Sequence, residues 1–195
     1  MKGLLIKDMW MTKRTLMLYA LLIIVLAVAN ESAVMFAMFY SLMLPVNLLA
    51  LDERSRFDRL VPMLPLSNLQ CVLDKYLISY ASIAILSVLA GIITAVRAGT
   101  PALSPVLMLG AGITLMAHAV SIPLLIRFGV ERGRMIYLIV LIAEAALLGA
   151  GIAFLEENMR GTIVLLSGMV LAAGMVLSLL SIPVAMKMFE KQTLA

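Results

Sequence analysis

Six long apolar segments follow one another along the chain, separated by short connections that carry most of the charged residues. The segments extend over residues 15–29, 33–51, 77–96, 105–126, 135–155 and 162–186. Most have the roughly 20 residues that a helix needs to cross a hydrocarbon core, and none alternates with the two-residue period of a barrel strand. The first is shorter, and we expect it to continue upstream through Met9, Trp10 and Met11. The pattern predicts an all-α, polytopic membrane protein with six transmembrane helices.

Basic residues are distributed unevenly among these connections. Of the 15 Lys and Arg residues, all but Arg97 and Arg160 lie in the N-terminus, the second and fourth connections and the C-terminal tail. Because basic residues accumulate on the cytoplasmic side of a membrane, both termini and the long connection, residues 52–76, are predicted to be cytoplasmic.

Composition agrees with a membrane protein and excludes several other classes. Hydrophobic residues make up 64% of the chain and charged residues 13%, and the mean hydropathy is +1.11, which leaves too little polar surface for a water-soluble core. The basic residues are not interleaved with aromatic ones, so nucleic-acid binding is not expected despite a pI near 9.4. With one Cys and one His, the chain is expected to form no internal disulfide and no metal-ligand cluster.

Catalytic motifs are absent from the sequence. It contains no GxxxxGK[ST] loop to cradle phosphates, no HExxH and no GxSxG. We therefore expect no enzymatic activity and no bound cofactor or metal in the chain itself, and in particular no ATP hydrolysis by a phosphate-binding loop.

The long cytoplasmic connection has internal structure. Residues 52–59 are mostly charged with alternating sign, and a short helix is expected from about Asp52 until Pro62 ends it. Ser67 and Gln70 then form a capping box, which predicts the start of a helix leading into the third span. A solvated linker is one interpretation of such a charge run. A docking element is the other, and we favour it because the connection combines rigid turns with apolar side chains.

Three stretches resemble a known family. They are the opening MKGLLIKDMW, the connection LDERSRFDRLVPMLPLSNLQCVLDKYL, and SIPLLIRFGVERGR after the fourth span. Together, in this order and spacing, they resemble the small six-helix permeases of the ABC-2 transporter class, and most closely a subfamily that includes exporters of cytolytic or antimicrobial peptides.

The resemblance implies a permease subunit in a plasma membrane of bacterial type. It would pair with a second copy or a paralogue and with a separate ATP-binding cassette subunit that holds ATP and Mg. An amphipathic helix over residues 1–13 would precede the first span, and a coupling helix between spans two and three would contact the ATPase. The implied coupling residues are Asp52, Glu53, Arg54, Arg56, Phe57, Asp58, Arg59, Leu60, Pro62 and Pro65. Asn68 and Leu69 stand where the family usually has basic residues.

Two ionisable residues lie deep within predicted spans. Glu144 and His118 are each about ten residues from the nearest cytoplasmic Arg, which places both near the bilayer centre on neighbouring antiparallel helices. An isolated charge there costs about 2.5 to 3.5 kcal/mol on insertion scales, which favours a protonated or paired Glu144. The alternatives are a substrate path, a proton site, or a hydrogen-bonded pair that fixes helix packing.

Prolines and small residues indicate further features. Pro45, Pro123 and Pro183 lie near the cytoplasmic ends of three inward-running helices and are candidate kinks. Small-residue stripes at Ala145 with Gly149 and at Gly168 with Ala172 would permit close helix contacts, within one chain or across a dimer. Two alternatives to an ABC permease stay open: an ATPase-independent secondary transporter or channel that uses Glu144, and a non-transporting membrane scaffold or immunity protein.

Overall fold

All of the described structure is helical. The computed structural model describes residues 2–29, 43–55, 67–98, 105–157 and 160–193. They form α1 (Lys2–Ala29), α2 (Met43–Ser55), α3 (Asn68–Ala98), α4 (Pro105–Glu157) and α5 (Arg160–Thr193). The expected all-α class is confirmed for these residues.

Helix α4 is in fact a helical hairpin with its turn at Gly129. This residue has φ 72° and ψ 175°, a conformation that residues with a Cβ rarely adopt. It separates a first arm, residues 105–128, from a second arm, residues 130–157, so the described residues form six helices. A Cβ added at Gly133 would lie 2.7 Å from the Leu125 side chain, which shows how closely the two arms approach. The sequence places the inner connection between spans four and five at this turn.

Side-chain contacts give the relative directions of the helices. Asp8 meets Lys75 near the beginnings of α1 and α3, and Tyr19 packs with Leu86 further along both, so these helices are parallel. Leu107 packs with Leu86, whereas Ile122 and Ile126 pack with Tyr76 and Val72, so α3 and the first arm of α4 are antiparallel. These directions agree with the predicted order of spans.

Helix α5 runs parallel to the first arm of α4 and packs extensively against α4. The Ser181 hydroxyl donates to the carbonyl of Ala119, and the backbones cross at Gly112 and Gly174. A Cβ at Gly112 would lie 2.8 Å from the backbone nitrogen of Leu171, and one at Gly174 would lie 2.6 Å from the carbonyl oxygen of Gly112. Only glycine fits these positions without a shift of one helix.

The two glycines of the predicted small-residue stripes make no such contact within the described part of the chain. A Cβ at Gly149 or Gly168 would meet nothing within 4 Å. The close crossing within the chain therefore depends on Gly112 and Gly174, which the four-residue stripes do not include.

Within the described part of the chain, three helices have the length and apolar character to cross a membrane: Leu69–Val96, Leu107–Gly133 and Val164–Glu190. They coincide with the predicted spans 77–96, 105–126 and 162–186. A shorter apolar helix, Met135–Leu147, corresponds to the first half of the fifth predicted span, and residues 15–29 belong to α1. Only the end of the second predicted span, residues 43–51, is within the described part, where it belongs to α2.

One element boundary differs from the sequence expectation. Residues 2–13 are continuous with the first predicted span, so α1 is one helix and not a connecting helix followed by a span. Its buried stripe there is Leu4, Asp8 and Thr12, while Ile6 and Trp10 are exposed, which is the reverse of an ordinary amphipathic helix. The helices expected at both ends of the connection, residues 52–76, are present, since α2 continues to Ser55 and α3 begins at Asn68.

Candidate coupling site

The capping box at the start of α3 is confirmed. The Gln70 backbone N–H donates to the Ser67 hydroxyl over 3.3 Å, and the Ser67 backbone N–H donates to the Gln70 side-chain oxygen, also over 3.3 Å. Two N–H groups that the helix itself cannot pair are satisfied in this way. The capping box fixes where α3 begins, and hence the register that places the adjacent Asp74 and Lys75 about two turns further along.

A cluster of buried charges joins α1, α2 and α3 at this level. The Lys75 ammonium binds Asp8 Oδ2 over 2.6 Å and also binds Asp52 Oδ2. The Lys7 ammonium lies 2.8 Å from Asp52 Oδ1 and 3.0 Å from Asp8 Oδ1. We call these four residues, Lys7, Asp8, Asp52 and Lys75, the charge cluster. Each ammonium bridges two carboxylates that belong to different helices, so the cluster ties the end of α2 to both neighbours.

Because the carboxylates of the charge cluster are buried, losing one of these ion pairs should cost considerable stability. Asp8 is 0% exposed and Asp52 is 3% exposed, so neither carboxylate has water to replace a lost partner. Burial alone would raise the pKa of Asp8, but the Lys75 ammonium and hydrogen bonds from Asp74, Lys75 and Lys7 outweigh it, and the pKa lies below its ordinary value of 3.8. Removing one partner of a buried ion pair typically costs about 3 to 5 kcal/mol.

A third buried carboxyl accompanies the cluster. Asp74 is 0% exposed and lies beside Asp8, but neither of its carboxylate oxygens has a well-formed hydrogen bond among the described residues. Two ammonium groups, Lys7 and Lys75, are already matched by Asp8 and Asp52 in the four ion pairs. Asp74 is thus an additional acidic group beside a balanced set of charges.

The end of α2 also contacts the turn of the α4 hairpin. The Val130 backbone N–H donates to Glu53 Oε1 over 2.8 Å. Val130 is the first residue of the second arm, so Glu53 caps a helix N-terminus with a negative charge, which favours the helix dipole. A Cβ at Gly129 would lie 3.0 Å from the same oxygen, and glycine at this position leaves room for the carboxylate.

The predicted coupling residues fall into two groups. Asp52 and Glu53 are engaged with their own chain as described, and only Arg54 of the three described charged residues is exposed without such a contact. Asp52 is buried and so departs from a water-exposed charge run, whereas Glu53 and Arg54 are exposed. The remaining ones, Arg56, Phe57, Asp58, Arg59, Leu60, Pro62 and Pro65, lie outside the described residues.

A second polar site lies between the two arms of α4. Thr114 and Glu144 are each fifteen residues from Gly129, on opposite arms, so they face each other at the same height, about 22 Å from the turn. Glu144 is 2% exposed and the Thr114 hydroxyl interacts with its carboxylate. Neither Glu144 oxygen has a hydrogen-bond partner of acceptable geometry among the described residues.

His118 lies one turn along the first arm from Thr114. It is 0% exposed, and its Nδ1 lies 2.9 Å from the carbonyl oxygen of Thr114. Because a carbonyl can only accept, this contact places a hydrogen on Nδ1. Thr114 therefore lies beside both predicted intramembrane residues: its carbonyl contacts His118, and its hydroxyl faces the Glu144 carboxylate without a well-formed hydrogen bond. Sequence reasoning missed Thr114, whose side chain alone gives no signal among the many Ser and Thr residues of the spans.

The prolines do not interrupt the helices that contain them. Helices α4 and α5 continue through Pro123 and Pro183, and α4 breaks at Gly129 instead. Pro45 lies in α2, three residues into the described part of that helix.

A comparison with protein-family models decides the class of the protein. The model described as ABC-2 family transporter protein matches residues 3–190, nearly the whole chain. The chain belongs to the ABC-2 transporter family. No curated protein and no solved structure matched it.

Membership of the ABC-2 family gives the charge cluster its context. A protein of this family is the membrane part of a transporter complex that includes an ATP-binding subunit. The segment expected to face that subunit starts in α2, where Asp52 and Glu53 are attached to α1, α3 and α4. Asp8 and Lys75, the centre of these contacts, were not singled out from the sequence. In the sequence, each is a single charged residue near a predicted span, and other charged residues lie close by, so neither stands out.

Proposed function

We propose that this ABC-2 protein is the permease subunit of an ATP-binding cassette exporter. It moves an apolar or amphipathic substrate of the peptide class out of the cell, across a plasma membrane of bacterial type. It works as a dimer with a second copy or a paralogue. ATP and Mg are bound and used by a separate subunit, and the chain itself is not an enzyme.

One observation carries the coupling part of this proposal. The end of α2 is attached by buried or half-buried polar contacts to three other helices: α1 through Lys7, α3 through Lys75, and the second arm of α4 through the Val130 N–H. A force applied to the segment that follows Ser55 would therefore reach α1, α3 and the second arm of α4 directly. A solvated linker would have no reason to begin with such an anchor.

The mechanism follows from these attachments. Nucleotide binding brings the ATP-binding subunits together and displaces the segment after α2. Because buried ion pairs resist separation, α1, α2 and α3 move as one body, while the Glu53 contact pulls on the turn at Gly129. The two arms of α4 then shift relative to the rest, and the cavity between the two permease subunits opens to the outside. This is alternating access driven by a partner.

The peptide class is supported by the family subgroup that the sequence resembles and by the character of the helix surfaces. Large apolar side chains are exposed along α1, α3, the second arm of α4 and α5, and methionines such as Met135, Met169 and Met175 are among them. Surfaces rich in Met adapt to varied apolar partners. Whichever of these faces lines the dimer cavity would receive apolar side chains of a substrate.

The test is the ATPase rate of the ATP-binding subunit with which the chain copurifies, measured alone and in lipid with the permease. We expect the permease to change the rate, and Phe57→Asp to abolish the change, since a new charge disrupts an apolar docking contact. Phe128→Asp is the matched control, because Phe128 is a partly exposed aromatic residue beside the other cytoplasmic turn.

A rate that does not depend on the permease would contradict the proposal. A dependence that survives Phe57→Asp but not Phe128→Asp would move the docking contact from the segment after α2 to the α4 turn. Both proteins must be shown in the membrane fraction at equal amounts, so that a loss of folding is not taken for a loss of coupling.

The structure gives one reason to retain a second candidate, a secondary transporter that uses Glu144. A buried carboxyl group without a well-formed hydrogen bond, deep in a helical hairpin, is typical of proton and ion sites in transporters. The two candidates differ in one measurable respect. A secondary transporter moves substrate in vesicles that lack any ATP-binding subunit, whereas the proposed exporter does not.

A further inference from the structure

A groove of about 470 Å³ runs between α1 and α3 on the outer surface of the chain. Its walls include Met9, Trp10 and Leu16 from α1 and Leu77, Ala81 and Ile85 from α3. This volume is within the range of about 300 to 1,000 Å³ that is usual for small-molecule sites. The groove is apolar along most of its length, and the side chains of Met9, Trp10, Leu77 and Ile85 that border it are exposed.

Positive charge is concentrated at one place along this groove. Lys13 is the charged residue in its wall, and Arg14 follows it; both are exposed. No ion pair joins either side chain to a carboxylate in the described part of the chain. The nearby carboxylate of Asp8 lies on the buried face of α1 and already forms ion pairs with Lys75 and Lys7. The mouth of the groove thus carries uncompensated positive charge.

The groove has a basic end followed by an apolar stretch, which is the arrangement of an anionic headgroup and an acyl chain in a phospholipid. Trp10 and Lys13 are residue types that lie at the headgroup level, while Leu16, Ala81 and Ile85 continue along both parallel helices toward the middle of the predicted spans. An anionic headgroup is attracted by exposed basic side chains next to a span. An acyl chain attached to that headgroup would extend along the apolar part.

We propose that the groove between α1 and α3 binds an anionic phospholipid, with its phosphate at Lys13 and one acyl chain along Leu16 and Ile85. The charge cluster lies directly behind the groove, since Asp8 and Thr12 are on the buried stripe of α1 and the Thr12 hydroxyl donates to the Asp8 carbonyl. A bound lipid would therefore cover the surface where α1 and α3 are joined. This site is independent of transport and of the ATP-binding subunit.

The chain provides its own probe, because Trp10 is its only tryptophan and lines the groove. The full chain is reconstituted in phosphatidylcholine vesicles, and Trp10 fluorescence is measured as phosphatidylglycerol brominated in its acyl chains replaces part of the lipid. Brominated phosphatidylcholine is titrated in parallel. We expect saturable quenching at a lower mole fraction of the anionic lipid than of the zwitterionic one.

Two variants locate the contact. Lys13→Gln should raise the half-saturating fraction of the anionic lipid about fivefold, as expected for one basic residue at a charged surface. Lys187→Gln, at another exposed lysine, should leave it unchanged. Ala81→Phe keeps the charges but fills the groove, and should remove the saturable component.

Equal quenching by both lipids at equal fractions would overturn the proposal, as would a titration that Lys13→Gln leaves unchanged. Weak quenching by either lipid would also overturn it and would indicate that a second copy of the chain covers the groove.

Discussion

Two buried polar regions of this ABC-2 protein differ in how their charges are satisfied. In the charge cluster at the beginnings of α1 and α3, each of Lys7 and Lys75 contacts two carboxylates from two helices. Between the arms of α4, Glu144 is as deeply buried, yet neither of its oxygens has a well-formed hydrogen bond among the described residues. The same kind of side chain is therefore used in opposite ways.

The difference indicates that one region holds helices together and that the other can bind an additional group. A buried ion pair with both partners present resists separation, because breaking it leaves an uncompensated charge. A buried carboxyl without such a partner retains capacity to bind a proton, a cation or a polar group of a substrate. We infer that the charge cluster transmits movement between helices. The site at Glu144 is instead the place within the helices where a proton, a cation or a polar group can bind.

The largest effect is expected from Lys75→Met, which removes the shared ammonium and leaves Asp8 and Asp52 buried with too little positive charge. The free energy of unfolding should fall by about 3 to 5 kcal/mol. The measurement is thermal or denaturant unfolding of the detergent-solubilised protein. Lys187→Met, at an exposed lysine of α5, is the control and should change little.

Rescue distinguishes a lost charge balance from lost packing. If the unpaired carboxylates cause the damage, adding Asp8→Asn to Lys75→Met should recover part of the stability, because one buried charge is then removed. Equal stability of Lys75→Met and the unaltered chain would show that the cluster does not hold the three helices together.

The opposite sign is expected from Glu144→Leu. Replacing a buried polar group that lacks a partner by an apolar one of similar size should leave the stability unchanged or raise it by about 1 to 3 kcal/mol. Glu144→Gln, which keeps the shape, tests function in reconstituted vesicles. Loss of ATP-driven export would place Glu144 on the substrate path, and loss of flux without any ATPase would favour a secondary transporter.

A fall in stability for Glu144→Leu as large as that for Lys75→Met would contradict the comparison, because it would show that Glu144 has a strong partner. Thr114→Val then identifies that partner, since Thr114 is the hydroxyl that faces the carboxylate.

Much of the fold follows from one-dimensional features of the sequence. Apolar length located three spans, the Ser67 and Gln70 pair located the start of α3, and the charged connection before the fifth span contains the Gly129 turn. Each of these signals is local, because length, capping and turn chemistry depend on residues close together in the chain. The helix expected from Asp52 is present as well, but the local signals did not show that it continues the second predicted span without a break, as α2 does over Met43–Ser55.

The candidate site was harder to predict because its groups come from separate helices. Asp8 and Lys75 are 67 positions apart, and nothing local distinguishes them from the other charges near the spans. Asp52 was expected in an exposed charge run, but its neighbours in space, not in sequence, bury it. The same holds for Gly112 and Gly174, since a close crossing depends on which faces of two helices meet. Glu144 was found because a carboxyl deep within an apolar run is exceptional by itself.

The smallest effect is expected where a charge of the coupling site is exposed and caps a helix. Glu53→Gln keeps an acceptor for the Val130 N–H but removes the negative charge at the N-terminus of the second arm. The loss should be about 0.3 to 1 kcal/mol, well below that of Lys75→Met. Arg54→Gln changes the adjacent exposed charge without touching the turn and serves as the control.

If Glu53 passes movement from α2 to the α4 hairpin, Glu53→Gln should reduce the permease-dependent part of the ATPase rate more than its small effect on stability accounts for. A rate identical to that of Arg54→Gln would leave the charge cluster as the route from α2 into the membrane helices.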